Sequence, residues 1–187
     1  MVVMKGEQWY HNNPSELLEG LYLCAARAIN SKVMKDLGIT CVINATLELP
    51  TFAYQNQDCM QIAVEDRVGA KLYVYFDMVA DKMHNVLNKS GGRVMIYCRA
   101  GMSRSATLCI YYFMKHHSMT FDEAFQFVKQ RRYCSCLIFG ICIVGGLTGL
   151  MVAKNFWYKE GSSRDVNNPF IPDMIEGYVD NATDEIG

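Results

Sequence analysis

Val94-Met-Ile-Tyr-Cys98-Arg-Ala-Gly101-Met-Ser-Arg104-Ser105 is the stretch from which the rest of the chain is best read. Its first four residues form a short apolar run of the kind that makes a buried strand. From Arg104 to about His117 apolar residues recur at helical spacing, so the intervening residues are a loop between a strand and the N-terminus of a helix. That loop has the pattern Cys-x5-Arg-Ser. A short loop curling around a tetrahedral anion can aim successive N–H groups inward, and the helix that follows adds the positive end of its dipole. Gly101 permits a backbone turn that a Cβ would obstruct. Arg104 can return over the loop and grip two oxygens at once. The same positive field favours the thiolate of Cys98. A nucleophile and an oxyanion cradle therefore share one loop.

Working outward, Leu17-Leu-Glu-Gly20-Leu-Tyr-Leu23 reads as two extended pieces around a glycine turn. Asn30 or Ser31 caps a short helix that runs to Leu37 and is stopped by Gly38. Ile39–Asn44 is a compact β-branched run expected to be a buried parallel strand, and Cys59–Val64 is expected to be another strand. Lys71–Asn88 is the clearest helix, with Leu72, Tyr75, Phe76, Val79, Met83, Val86 and Leu87 on one face. Thr120-Phe-Asp-Glu123 is a capping box opening a helix toward Arg131. Strands alternating with helices at this spacing predict an α/β domain with a central, mostly parallel sheet flanked by helices. The expected organisation is an N-terminal extension over 1–14, the domain over 15–132, an uncharged segment over 133–153 and a polar tail over 154–187.

Composition supports a folded core: hydrophobic residues make up 51% of 187 and charged residues 20%, which excludes disorder over most of the length. Lys and Arg number 18 against 19 Asp and Glu, a balance that argues against a nucleic-acid partner. The eight cysteines include no CxxC pair and no Cys/His cluster at zinc spacing, and the N-terminus carries no apolar run of signal-peptide length. A cytoplasmic, reducing setting is the expectation, with most of the cysteines acting as small core hydrophobes.

The segment Tyr133–Ala153 differs from everything before it. It is free of charge over 21 positions, close to the ~20 residues a membrane-spanning helix needs. Lys129, Arg131 and Arg132 precede it and Lys154 follows. Membrane association through 133–153 is one expectation. A glycine-rich element packed on the domain is the other.

Cys98–Ser105 resembles the signature loop of cysteine-dependent protein phosphatases. The flanks Gly20-Leu-Tyr-Leu23, Gly38-Ile-Thr-Cys-Val-Ile-Asn-Ala-Thr46, Tyr75-Phe-Asp-Met-Val-Ala-Asp-Lys82 and Ser103-Arg-Ser-Ala-Thr-Leu-Cys109 narrow the resemblance to the small atypical dual-specificity phosphatases. The resemblance covers residues 15–132 and implies the following roles. Cys98 is the nucleophile, Asp66 in Val64-Glu-Asp66 the general acid and base, and Ser105 a hydrogen-bond donor to the departing thiolate. Arg99, Ala100, Gly101, Met102 and Ser103, with Arg104, form the phosphate-binding loop. It implies no metal or other cofactor. The implied partner is a phosphoprotein, with a MAP-kinase-pathway protein among the candidates.

Two departures stand out. The family carries His immediately before the cysteine, where this chain has Tyr97, and Tyr97 is expected to weaken activity. After Arg131-Arg132 the uncharged run stands where the family continues into a turn and a last helix, with Phe156-Trp157 and Asn168-Pro-Phe-Ile-Pro-Asp173 resembling remnants of that ending. Besides the active phosphatase, two readings stay open: a weak pseudophosphatase that binds phosphoproteins, and a phosphatase of lipids or other non-protein phosphates. The loop's only further basic residue, Arg99, favours protein substrates over the last.

Overall fold

In the computed structural model the described residues are 12–52, 57–67 and 70–133. Strands β1 (Ser15–Leu18), β2 (Leu21–Ala25), β3 (Cys41–Asn44), β4 (Asp58–Gln61) and β5 (Val94–Cys98) form one sheet in the order β1-β2-β5-β3-β4. The β1–β2 pair is antiparallel, joined through Gly20 at φ +82°, a left-handed turn that glycine adopts without strain. The other pairs are parallel: β2 with β5, β5 with β3, and β3 with β4. Helices α1 (Ser31–Asp36), α2 (Phe76–Leu87), α3 (Arg104–His116) and α4 (Phe121–Arg131) flank the sheet.

The sheet separates two cores, and the two-residue period of the strands assigns side chains to each. Leu21, Leu23, Cys41, Ile43, Val94, Ile96 and Cys98 face one core with Val79, Met83, Leu108 and Val128 of the helices. Tyr22, Cys24, Val42, Met95 and Tyr97 face the other, with Ile29, Met34 and Ile39. Cys98 and its neighbour Tyr97 therefore project from opposite faces of one strand. Phe113 and Phe127, with ring centroids 4.7 Å apart, lock α3 to α4. Caps form where the residue types predict them. Asn30 Oδ1 accepts the Val33 N–H, and the Thr120–Glu123 capping box is complete in both directions.

Several expectations need correcting. The strand expected at Cys59–Val64 is paired only over Asp58–Gln61, and as the sheet edge it is largely exposed. The Ile62 N–H still donates to Asn44 O, but the Val64 N–H turns back onto Ile62 O, so the chain leaves the ladder there. The helix expected from Lys71 begins as a 3₁₀ turn, Leu72–Tyr75, and becomes α-helical at Phe76. Cys24, Cys41 and Cys109 are buried as core hydrophobes, whereas Cys59 is exposed on the edge strand. Burial pushes the Cys24 thiol up to about 12 and Cys41 to about 11, and raises Cys109 as well, which keeps all three protonated. Arg132, read in the sequence as a charged flank of the uncharged run, is fully buried inside the domain. No helix among the described residues is long and apolar enough to cross a membrane. The uncharged run beyond Tyr133, with Cys134, Cys136 and Cys142, and the tail lie outside the described residues.

Candidate active site

Parallel strands direct their carboxyl ends toward one rim of the sheet, where ligand sites in α/β folds gather. Cys98 ends β5 at that rim, and α3 begins six residues later at Arg104. The turn between them carries Arg99, Ala100, Gly101, Met102 and Ser103. Gly101 has φ +64°, and a Cβ there would lie 2.3 Å from the carbonyl carbon and oxygen of Cys24. The turn thus rests directly on the backbone of β2, an approach only glycine allows. Gly101→Ala is expected to destabilise the protein by about 1–3 kcal/mol through the strained φ alone and to displace the loop further by the clash. Thermal unfolding and turnover measured on the same preparation would both fall.

Ser105, in the first turn of α3, donates its Oγ hydrogen to Cys98 Sγ at 3.1 Å. Both are buried, so the contact is shielded from bulk water. Arg104 follows the loop around and is completely buried. Its Nη1 donates to Glu48 Oε2 and to Val64 O, each at 2.9 Å, and Nη2 donates to Glu48 Oε1 at 2.7 Å. Asp66 Oδ2 lies 3.5 Å from Nη2. Among the described residues two buried side-chain polar atoms have no protein partner, Arg104 Nε and Ser103 Oγ, and they stand side by side where this loop meets α3. Buried polar atoms in folded proteins are nearly always satisfied, so two orphans at adjacent positions mark where a polar ligand fits.

The structure brings together the residues expected from the sequence: Cys98, Ser105 and Arg104 directly, and Asp66 through Arg104. It adds two that sequence reasoning missed. Glu48 follows the carboxyl end of β3 and provides a bidentate partner for Arg104, whose hydrogen bonds hold the Glu48 carboxyl down to about 2. A carboxylate in Thr46-Leu-Glu-Leu-Pro50, just past a buried parallel strand, was the available signal. Arg132 at the end of α4 donates Nε to Gly101 O at 2.6 Å and Nη1 to Ser15 Oγ at 3.2 Å, supporting the loop from below. Tyr97 does not point toward the loop. Its hydroxyl donates to Pro50 O and accepts the Phe52 N–H, both at 3.2 Å, on the opposite face of the sheet. Of the other carboxylates, Asp77 and Asp81 pair with Lys115 on the surface, and Asp58 pairs with Lys82.

A thiol at the end of a parallel strand, a buried arginine opening the helix after its loop and carboxylates beside that arginine define a class, and residues 21–140 match the dual specificity phosphatase catalytic domain. The chain belongs to that family. It is similar to dual specificity protein phosphatase 14 of Mus musculus, with 43% identity over 119 residues, covering 63% of this chain and 60% of the relative. The Homo sapiens protein of that name is 44% identical over 105 residues, 56% of this chain and 52% of the relative. The chain therefore matches between about half and three-fifths of the length of these relatives. In fold it is similar to a substituted form of human DUSP28, at 22% identity and a TM-score of 0.67, covering 79% of this chain and 97% of that one.

Proposed function

We propose that this chain hydrolyses phosphate monoesters on proteins, at phosphotyrosine and at phosphoserine or phosphothreonine, through a phosphocysteine intermediate. The observation that carries the reading is the Ser105 Oγ–Cys98 Sγ contact at 3.1 Å, set beside the buried Arg104 with its unpartnered Nε. In the first step Cys98 Sγ attacks phosphorus and the ester P–O bond breaks, while Asp66 protonates the departing oxygen. In the second, water attacks the phosphocysteine, Asp66 accepts its proton, the P–S bond breaks and the thiolate is restored. Ser105 hydrogen-bonds that departing sulfur. Arg104 and the loop hold the phosphoryl oxygens through both steps, supplying positive charge where negative charge gathers.

Tyr97 removes none of these groups, because it lies across the sheet from Cys98. The protein-phosphate reading extends to signalling substrates, a MAP-kinase-pathway protein among them. Buried, unbridged Cys24, Cys41 and Cys109 suit a reducing cytosolic setting for the catalytic domain. The test is turnover of a small aryl phosphate, followed by peptides bearing phosphotyrosine, phosphothreonine or both. Release of phosphate with a burst of alcohol or phenol is expected. Absence of turnover on every substrate, in a chain that still binds phosphopeptides, would show a binding protein in place of an enzyme.

A further inference from the structure

The hydrogen bonds of Arg104 all leave from its terminal nitrogens, with the Asp66 carboxylate a further charged neighbour 3.5 Å from Nη2. A guanidinium offers a terminal fork, Nη1 with Nη2, and a lateral fork, Nε with Nη2. Both oxygens of Glu48 occupy the terminal fork, at 2.9 and 2.7 Å, with Val64 O as an additional acceptor from Nη1. Nε has no partner among the described residues. The lateral fork is thus the one left for an oxyanion.

Glu48 is itself held in place. It lies in a turn whose polar groups are knitted to the sheet. The Leu49 N–H donates to Thr46 Oγ1 at 3.3 Å, Asn44 Nδ2 to Leu49 O at 2.9 Å, and Gln61 Nε2 to Thr46 O at 3.1 Å. On the far side the Tyr97 hydroxyl bonds Pro50 O and the Phe52 N–H, and the Phe52 and Tyr97 rings pack with centroids 6.0 Å apart. The phenol is buried and held up at about 12, so it stays neutral and keeps its donor hydrogen. The turn that presents Glu48 is therefore fastened to the residue immediately before Cys98.

We infer that Glu48 is a positioning residue for phosphate binding, holding Arg104 by its terminal fork so that the lateral fork serves the phosphate, and that Tyr97 anchors the turn that presents it. This rests on the phosphatase reading above. Glu48 stays ionised at every working pH, so it does not donate the proton that reading assigns to Asp66. Its contribution is geometric, and it also neutralises one buried guanidinium before substrate arrives.

The probe is inorganic tungstate, a tetrahedral oxyanion, titrated into the full chain carrying Cys98→Ser, where binding is read without turnover. In that background Glu48→Gln is expected to weaken tungstate binding about 10- to 100-fold, with an unchanged far-ultraviolet circular dichroism spectrum. Tyr97→Phe, which deletes one hydroxyl, is expected to weaken it about 3- to 10-fold. The double variant should bind no worse than Glu48→Gln alone, because both changes act through one carboxylate. If Glu48→Gln does not fold, Glu48→Asp keeps the charge on a shorter stem and should show a loss of about 3- to 10-fold by the same geometric argument. Unchanged or tighter binding in the Glu48 variant overturns the inference, tighter binding marking Glu48 as a competitor for Arg104. Additive losses in the double variant overturn the role of Tyr97. A parent that binds tungstate while its variants bind equally well removes only the role of Glu48. A parent that neither binds tungstate nor, with Cys98 intact, turns over an aryl phosphate removes the phosphatase reading and this inference together.

Discussion

Serine in place of Cys98 is expected to abolish hydrolysis of an aryl phosphate, by at least about 10³-fold, while the fold and oxyanion binding persist. The substitution exchanges sulfur for oxygen at a buried position on the end of β5, so the packing change is small. The chemical change is large. An alcohol needs a general base to become a nucleophile, and the described histidines are badly placed to act as one. His116 and His117 sit at the C-terminal end of α3, and His116 stacks on His84 of α2. Arg104 opens the other end of that 13-residue helix, about 20 Å away at 1.5 Å per residue. Turnover, tungstate binding and the unfolding midpoint, measured on one preparation, give the check. Retention of a tenth of the parent rate would remove Cys98 from the mechanism.

Asp66→Asn is expected to slow hydrolysis of poor-leaving-group substrates by roughly 10²–10⁴ and to matter far less where the leaving phenol is acidic enough to depart as an anion. The side chain is about one-third exposed, at 33%, and its Oδ2 lies 3.5 Å from Arg104 Nη2. Two residues earlier Val64 O accepts from Nη1, so the segment bearing the proposed acid is tied to the arginine that would hold the phosphate. Asparagine keeps the shape but removes the titrating group and, with it, the negative charge beside Arg104. Glu48 cannot take over. Its carboxyl is depressed to about 2 by hydrogen bonds from Arg104. A carboxyl lowered on folding contributes its ion pair above its ordinary range and loses it only as pH falls through the depressed value. An acid limb of kcat/KM above about pH 4 therefore belongs to another group, and Glu48→Gln should leave it in place. Equal losses across leaving groups in Asp66→Asn would assign Asp66 a structural part.

Much of this arrangement was legible in the sequence because it depends on local residue types. A loop that must approach β2 closely needs glycine at 101. A helix entered from a loop carries its cap at Asn30 or Thr120, and strands buried on both faces read as continuous apolar runs. Cys98, Arg104 and Ser105 share one short segment, so their spacing alone places them together. Glu48 and Arg132 were not legible in that way. Each meets the loop across more than thirty residues of chain, Glu48 through 56 positions to Arg104 and Arg132 through 31 back to Gly101. Charged residues at such separations look like surface in a linear reading; only the packing buries Arg132 and sets the exposed Glu48 against Arg104. Tyr97 shows the opposite case. Its proximity to Cys98 in sequence suggested a shared site, and the pleat of β5 sends the two side chains into different cores.

The burial of Arg132 has a mechanical side. One guanidinium, at the end of α4, stitches Gly101 of the loop to Ser15 of the first strand. A displacement of the carboxyl end of α4 would therefore reach Gly101 through a single side chain. Loop, first strand and α4 thus share one tether, and a substitution that cuts it at Arg132 would slacken all three together.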